Sequence, residues 1–251
     1  MTNGEFRGDV FGEMGQFWAE IADESQTQRQ IQFLKNQLSP EGCILDVACG
    51  TGRHTIALFK TGFDVVGLDI SVTLLRIAKD RGASAVVRAD MRFLPFKPQA
   101  FAVAISMDNS IGYLPSENDD EKSLAEIRRV LKLGGLFVLD VFNREKLYEK
   151  YSSFALSPKQ REYPSFTLRQ ERSVSPDGGW LCDHWTVEQR SDGQVRVFNH
   201  KARLYTCLQL KAILSEAGFQ VKATFDNYEK QSLSAASPRL IIRANAKPHH
   251  A

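Results

Sequence analysis

The stretch DVACGTGRH, residues 46–54, decides the predicted fold. It completes a short apolar run over residues 43–48, which predicts a buried strand, and it leads into a helix that extends to about residue 61. Gly50 and Gly52 would let the backbone approach a ligand with no Cβ in the way. A strand, a glycine turn and a helix in this order predict a ligand site at the carboxyl edge of a parallel sheet. A tight turn without a ligand is the alternative interpretation.

Two details of this loop argue against a dinucleotide site. The dinucleotide fingerprint requires a third glycine, where this chain has His54 and Thr55. Asp46 would also bring a carboxylate close to a pyrophosphate, which is repulsive at short range. The same carboxylate suits a ligand that carries an ammonium group and a sulfonium. An oxidoreductase of the NAD type is therefore kept only as an alternative.

The second predicted strand, residues 65–68, ends at a carboxylate. Asp69 follows the glycines by about 20 residues, a spacing that lets a carboxylate accept hydrogen bonds from both hydroxyls of a ribose. A helix N-cap or a surface acid is the other interpretation of Asp69. Asp46, the two glycines and Asp69 together indicate the site more strongly than any one of them alone.

The segments that follow alternate between helix and strand patterns, which predicts right-handed βαβ units and a parallel sheet. The helical patterns lie at residues 73–81, 119–131 and 206–217, and the last of them closes at Gly218. The strand patterns lie at residues 85–88, 101–106, 136–141, 219–225 and 239–244.

Two further segments do not belong to this alternation. Apolar residues at helical spacing predict a helix over residues 17–38, ending at Ser39-Pro40, and Phe11, Phe17 and Trp18 are expected to form a lid helix over the ligand.

Residues 166–205 hold three β-rich runs, separated by the hairpin signals Asp177-Gly178-Gly179 and Asp192-Gly193. Both faces of the middle run, residues 180–188, carry large apolar groups. We therefore expect an inserted antiparallel meander that packs on another part of the chain.

At this point the chain resembles the class I S-adenosylmethionine-dependent methyltransferases. ILDVACGTGRHTIALFKTGFDVVGLDIS (residues 44–71) is similar to their first motif and the acidic strand end after it, with Ala48 in place of the usual first glycine. RVLKLGG (129–135) resembles their turn before the fifth strand, with Leu133 in place of proline. The resemblance extends through ADMRFLPF (89–96), DNSIGY (108–113), VFNRE (141–145), RLYT (203–206) and SPRLI (237–241), and so covers nearly the whole chain. These later segments are similar to a branch related to small-molecule and sugar-amine N-methyltransferases, of the methyltransferase domain 25/11 type.

The resemblance implies a Rossmann-like α/β fold with a seven-stranded sheet in the order 3-2-1-4-5-7-6 and an inserted antiparallel β-meander. The implied division is an N-terminal helical lid (1–40), an α/β domain that binds the cofactor (41–145 and 206–246) and a substrate flap (146–205). The cofactor is S-adenosylmethionine, with S-adenosylhomocysteine as product. Asp90 would accept a hydrogen bond from the adenine amino group, the Met91 amide would meet the ring, and the Met107 backbone would face the cofactor. The full set of implied cofactor-binding residues is Asp46, Ala48, Gly50, Gly52, Arg53, Asp69, Ile70, Asp90, Met91 and Met107.

The methyl acceptor is expected over the carboxyl end of the fourth strand. No catalytic residue is assigned, because a general base is needed only if the acceptor arrives protonated. The catalytic candidates are Asp108, Asn109, Tyr113 and His200. The candidates for substrate contact are Asn109, Tyr113, Arg144, His184, Arg203 and Tyr205. For each of these side chains a purely structural role is the alternative; Trp180, Trp185 and Phe198 are expected in the core of the flap.

Composition narrows the class of partner. The net charge of +2 gives no global field that would attract nucleic acid, and the four cysteines have neither disulfide-frame nor zinc-site spacing. Since the sequence shows no signal peptide and no apolar span, we expect a cytoplasmic protein, monomer or homodimer, that binds no metal and acts on a small molecule at N or O. The alternatives are a methyltransferase acting on tRNA or protein, and a module that binds the cofactor without turnover.

Overall fold

A seven-stranded sheet organises the chain in the computed structural model, which describes residues 10–22, 24–38, 41–151, 158–229 and 239–248. In chain order the strands are β1 (Ile44–Val47), β2 (Val65–Asp69), β3 (Val86–Arg88), β4 (Phe101–Ser106), β5 (Leu131–Phe142), β6 (Lys159–Glu162), β7 (Phe166–Val174), β8 (Trp180–Gln189), β9 (Val195–Arg203), β10 (Phe219–Phe225) and β11 (Arg239–Ala246). The helices are α1 (Val10–Met14), α2 (Gln16–Ile21), α3 (Glu24–Lys35), α4 (Arg53–Lys60), α5 (Val72–Asp80), α6 (Glu117–Val130), α7 (Arg144–Tyr151) and α8 (Cys207–Glu216).

The order of the central sheet confirms the predicted fold class. The strands lie in the order β10-β11-β5-β4-β1-β2-β3, which is the predicted order once β10 and β11 are counted as the sixth and seventh strands. Neighbouring strands pair in parallel from β3 across to β5, and β11 pairs antiparallel with both β5 and β10. The carboxyl ends of β1, β2 and β4 therefore meet at one edge of the sheet.

Helices cover both faces of this sheet, which explains why its central strands read as continuous apolar runs. Because side chains alternate along β1, Leu45 and Val47 enter one core with Leu124 of α6. Ile44 enters the core on the opposite face, together with Leu34 of α3.

The helices begin where polar side chains cap them. Ser71 caps α5, Ser116 caps α6, and Thr206 forms a capping box with Gln209 at the start of α8. Among the described residues, no helix has the length and apolar character needed to span a bilayer.

The inserted meander has one strand more than the sequence predicted. Strands β6 to β9 form an antiparallel four-stranded sheet, here called the flap sheet. Its buried face carries Trp185 and Val187, which pack against Met14 and Phe17 of the N-terminal helices. The meander was expected to pack on another part of the chain, and in the structure that part is the N-terminal segment.

Several predicted element boundaries differ from the structure. The helix predicted over residues 17–38 is divided into α2 and α3, and Phe11 of the expected lid helix lies in the separate helix α1. Helix α7 and strand β6 were not predicted. Strand β5 begins five residues before the predicted start at residue 136, since Gly134 and Gly135 lie inside it rather than before it. The stop signal Ser39-Pro40 and the first two residues of the segment 237–241 lie outside the described residues.

A buried acid joins α6 to the end of the flap sheet. Asp120 is fully buried, accepts a hydrogen bond from the Gly112 amide at 3.0 Å and another from the Tyr205 hydroxyl at 2.7 Å, and forms an ion pair with Arg203. Arg203 is itself 7% exposed, so its guanidinium depends on Asp120 for charge compensation.

This arrangement predicts that Asp120→Asn strongly destabilises the protein. The substitution leaves a buried arginine without its carboxylate, which should lower the free energy of unfolding by about 3–5 kcal/mol. Urea denaturation followed by circular dichroism measures the change. Glu149→Gln, which removes the exposed ion pair with Lys146, is the matched control and should leave the unfolding midpoint nearly unchanged. Equal midpoints for the two variants would contradict the role given to Asp120.

Candidate active site

A cavity of 1720 Å³ lies between the carboxyl edge of the central sheet, the N-terminal helices and the flap sheet. The ends of β1, β2 and β4 form one wall, α1 and α2 contribute Phe11 and Trp18, and β7, β8 and β9 contribute the opposite wall. The implied cofactor residues that line it are Asp46, Ala48, Gly50, Arg53, Asp69, Ile70, Asp90, Met91 and Met107. The acceptor-side candidates that line it are Asp108, Asn109, Tyr113, His184 and His200.

The glycine loop bends back against β2 through a side-chain carboxylate. The Gly50 amide donates to Asp69 Oδ2 at 2.8 Å, and the Ser71 amide donates to Asp69 Oδ1 at 2.8 Å. Each carboxylate oxygen has a second acceptor position, so Asp69 can also accept hydrogen bonds from a ligand in the cavity.

Gly52 has a different place from the one expected. It caps α4 with a φ of +73°, and a Cβ there would lie 2.9 Å from the Ala78 Cβ of α5. Gly52 therefore permits close packing between two helices and does not line the cavity, whereas Gly50 does.

Asp46 is a buried acid at the end of β1. Its Oδ2 accepts a hydrogen bond from Thr55 Oγ1 at 2.7 Å. Burial raises the pKa of Asp46 to about 6, and the Thr55 hydrogen bond and the charge of Arg53 oppose the rise only in part. A cationic group placed beside Asp46 would favour its ionised form.

Asp90 is held by an arginine two residues along the chain. Arg92 donates to both carboxylate oxygens and also pairs with Asp119 at 2.9 Å. Its hydrogen bonds lower the pKa of Asp90, so this carboxylate remains an acceptor at neutral pH. Met91, which separates the two, lines the cavity beside it.

Asp108 belongs to a dense polar network at the end of β4. Its carboxylate pairs with Arg53 and accepts a hydrogen bond from Gln30 Nε2 at 2.9 Å, and the Arg239 guanidinium lies 3.7 Å away. Gln30, fully buried on α3, also accepts from Arg53. These donors already engage the Asp108 carboxylate, which does not suit a proton-accepting base.

Asn109 and the flap residues form the other end of the cavity. Asn109 Oδ1 accepts a hydrogen bond from the Phe142 amide at 2.7 Å, which fixes the orientation of its side chain. His200 lies among aromatic rings, with centroid distances of 5.0 Å to Trp185, 5.4 Å to Phe11 and 5.9 Å to Tyr113.

The comparisons with known proteins agree on one family. The family model described as "Methyltransferase domain" matches residues 44–135. The chain is 30% identical over 234 residues to the putative methyltransferase YqeM of Bacillus subtilis, a match that covers 90% of this chain and 92% of that protein. It is 32% identical over 225 residues to a glycine/sarcosine N-methyltransferase of Parasynechococcus marenigrum, covering 85% of this chain and 76% of that protein. The structure of the CcbJ methyltransferase from Streptomyces caelestis, at 17% identity and a TM-score of 0.81, covers 95% of this chain and 98% of its own and shares the fold.

The chain belongs to the class I S-adenosylmethionine-dependent methyltransferases. It is an enzyme of this family, and S-adenosylmethionine is its cofactor.

Four of the predicted residues have other positions in this methyltransferase. Besides Gly52, the structure places Arg144, Arg203 and Tyr205 outside the cavity lining. Arg144 binds the carbonyl of Asp177 on the surface, and the other two bind Asp120 beneath the site. The placement of Arg203 and Tyr205 outside the cavity could not be predicted, because side chains alternate between the two sides of a strand. Sequence alone does not tell which side of the flap faces the cavity.

His184 and Trp185 lie on opposite faces of β8. His184 lines the cavity on the face opposite Trp185, where its Nδ1 meets Asn199 Oδ1 at 2.7 Å. Trp185 and Phe198 are buried and also line the cavity, whereas Trp180 is half-buried outside it.

Several residues in and around the methyltransferase site were not predicted from the sequence. Asp140 and Asp183 are buried acids inside strand runs, and Asp183 pairs with Arg172 at 2.7 Å in the cavity wall. An acid within an apolar strand pattern was the available signal for both. Gln30 and Arg239 reach the site from distant parts of the chain. Gln30 carried no local signal, and Arg239 stands in the SPRLI segment of the resemblance, which did not indicate a role for it.

The position of Asp69 predicts its effect on cofactor affinity. Asp69→Ala removes the proposed ribose acceptor and the anchor of Gly50, and should weaken S-adenosylhomocysteine binding by about 1–3 kcal/mol. Isothermal titration calorimetry measures the affinity. Asp80→Ala, an exposed acid at the end of α5, is the matched control. An affinity that Asp69→Ala leaves at the control value would rule out the proposed contact.

Proposed function

We propose that this methyltransferase transfers a methyl group to a nitrogen or oxygen atom of a small-molecule acceptor. The observation that carries the proposal is the covered cavity at the carboxyl edge of the sheet. Its volume of 1720 Å³ exceeds the range of about 300–1,000 Å³ that is typical of a site for one small ligand. The cofactor and a small acceptor therefore fit side by side beneath the flap sheet.

Two further observations support a small acceptor. A relative of this chain, the Parasynechococcus protein, is named a glycine/sarcosine N-methyltransferase, and glycine and sarcosine are small amines. The net charge of +2 gives no electrostatic footprint for nucleic acid.

The proposed cofactor-binding residues line one wall of the cavity, which supports a site for S-adenosylmethionine there. We propose that Asp46 faces the ammonium group, Asp69 accepts from the ribose hydroxyls, and Asp90 with Met91 meets the adenine. Gly50 adopts a φ of +53°, which favours glycine, and it lines the same wall. Ala48, Ile70 and Met107, which line the same wall, supply apolar and backbone contacts.

Arg53 is the proposed partner of the cofactor carboxylate. Its guanidinium lines the cavity at the start of α4, and its charge acts on Asp46 nearby. In this structure Arg53 pairs with Asp108, and Arg239 lies near enough to compensate Asp108 when Arg53 turns to a ligand.

The protein contributes alignment and exclusion of water to the reaction. S-adenosylmethionine supplies an electrophilic methyl group on a sulfonium. Trp18, which stacks on Trp185 with ring centroids 6.2 Å apart, closes the cavity between the loop and the flap. A dry, shaped compartment holds the acceptor atom in line with the methyl group, which is the main requirement for a displacement of this kind.

Labelled methyl transfer into a cell extract tests the proposed acceptor class. The protein is mixed with extract and S-adenosylmethionine that carries a radiolabelled methyl group, and the products are separated by size. Label in the small-molecule fraction is the expected result. Label only in RNA or protein would contradict the proposal and favour a macromolecular acceptor, and no label above an Asp69→Ala control would favour a binding module without turnover.

The raised pKa of Asp46 predicts how cofactor binding depends on pH. In the free protein the neutral form of Asp46 is favoured up to about pH 6, so its contribution to stability is lost as the pH rises through that value. An ammonium group on the ligand favours the ionised form, so S-adenosylhomocysteine affinity should rise between about pH 5 and pH 7 as Asp46 loses its proton.

Calorimetry in two buffers with different ionisation enthalpies measures the released proton directly. Asp46→Asn, which keeps the shape of the side chain without titrating, should abolish both the release and the slope. A slope that persists in Asp46→Asn would assign the titration to another group.

A further inference from the structure

The turn that follows β4 has an unusual backbone. Asp108 has a φ of +58° and Asn109 has a φ of +70°, so two successive residues with side chains lie in the left-handed region. Aspartate and asparagine enter this region more readily than most residues, but as single residues. Such conformations persist where the surrounding structure holds them. Because both residues also line the cavity, the contacts that hold this turn shape the wall of the site.

Strand β5 holds the turn through three hydrogen bonds. The Asn109 amide donates to the Asp140 carbonyl oxygen at 2.9 Å, and the Asp108 amide donates to Asp140 Oδ2 at 3.2 Å. The Phe142 amide in turn donates to Asn109 Oδ1 at 2.7 Å. Two of these three bonds belong to Asp140, which therefore contacts the turn with both its backbone and its side chain.

Two residues from the β10–β11 edge of the sheet fix the Asp140 carboxylate, which is fully buried. The Tyr228 hydroxyl donates to Oδ2 at 2.8 Å, and Arg239 Nε donates to Oδ1 at 2.8 Å. Oδ1 thus compensates the charge of Arg239, while Oδ2 joins Tyr228 to the Asp108 amide. Charge compensation alone would not require the second oxygen to contact the turn.

A second route links Tyr228 to the same turn. Gln30 Nε2 donates to the Tyr228 hydroxyl oxygen at 2.8 Å and to Asp108 Oδ1 at 2.9 Å. Burial and the nearby charge of Asp140 raise the pKa of Tyr228, so its hydroxyl keeps the proton that it donates to Asp140. The four side chains therefore form a closed ring of hydrogen bonds, which holds Asp108 by its backbone and by its carboxylate.

We propose that Asp140 is a positioning residue for methyl transfer, with Tyr228 as its support. Asp140 holds Asp108 and Asn109 in the left-handed turn and so fixes the wall beside the acceptor. Neither Asp140 nor Tyr228 is among the described residues that line the cavity, so both act through the turn. Misplacing reacting groups by about 1 Å can cost about 100-fold in rate, which makes a rigid wall valuable. The inference rests on the proposed place of the acceptor over this turn, and on no particular acceptor.

A matched pair of tyrosine variants tests the positioning role. Tyr228→Phe and Tyr205→Phe each remove one hydroxyl that donates to a buried aspartate, since Tyr205 donates to Asp120 at 2.7 Å. Methyl transfer from saturating labelled S-adenosylmethionine is measured over a dilution series of cell extract, in whichever fraction takes the label. Tyr228→Phe should lower the maximal rate by about 10-fold, whereas Tyr205→Phe should keep the rate of the unchanged protein.

Cofactor affinity separates positioning from a general loss of structure. Isothermal titration calorimetry with S-adenosylhomocysteine should give the two variants the same affinity, because the ring of hydrogen bonds includes none of the acids proposed to bind the cofactor. Equal maximal rates for the two variants would overturn the proposal. A loss of affinity in Tyr228→Phe as large as its loss of rate would overturn it as well.

The backbone of the turn gives a readout that does not depend on activity. Asp140→Ala removes both carboxylate oxygens, and a crystal structure of this variant with S-adenosylhomocysteine should show Asp108 or Asn109 with a negative φ. A positive φ at both residues would overturn the assignment. If the unchanged protein labels no fraction of the extract, the proposed function fails, while this crystal structure still decides whether Asp140 holds the turn.

Discussion

The structure depends on one carboxylate that joins two neighbouring strand ends. Asp69 closes β2 and accepts backbone hydrogen bonds from Gly50, after β1, and from Ser71, at the start of α5. The loop can take this path because Gly50 adopts a φ of +53°, a conformation that costs glycine little. One side chain therefore shapes the loop, begins a helix and presents its remaining acceptor positions to the cavity.

The packing beneath the loop is equally constrained. A Cβ on Gly67 of β2 would lie 2.8 Å from Thr55 Oγ1 and 2.8 Å from Cys49 Sγ. Thr55 needs this position because its hydroxyl donates to Asp46 at the end of β1. Thr55, near the position of the third glycine in a dinucleotide loop, therefore has Asp46 as its own hydrogen-bond partner.

The N-terminal segment is part of the site as well as its cover. Gln30 is fully buried on α3 and contacts Arg53, His54 and Asp108. Burial and the nearby charge of Arg53 lower the pKa of His54, so its ring remains neutral and can share the Gln30 carbonyl oxygen. The network explains how a helix remote in sequence fixes the geometry of the loop after β4.

Local sequence predicted the parts of the fold that local physics determines. Strand periodicity, turn-forming residues and spacing along the chain can be recognised in a sequence. These signals predicted the apolar strand runs, the glycine turn and the position of Asp69. Arg203 and Tyr205 were assigned to the substrate because the face a flap residue presents depends on packing with α6, through Asp120. The hydrogen bonds and ion pairs of Asp108 were not predicted, because they involve partners from α3 and β11, which are far away in sequence. Long-range ion pairs leave no periodic signal.

A crystal structure of the protein with S-adenosylhomocysteine tests the central claim, that the acids closing successive strands hold a single nucleoside. The account predicts both ribose hydroxyls within hydrogen-bond distance of the Asp69 carboxylate, the ligand amino group beside Asp46 and the adenine against Asp90 and Met91. A nucleoside bound in another orientation, or one that leaves Asp69 without contact, would contradict it.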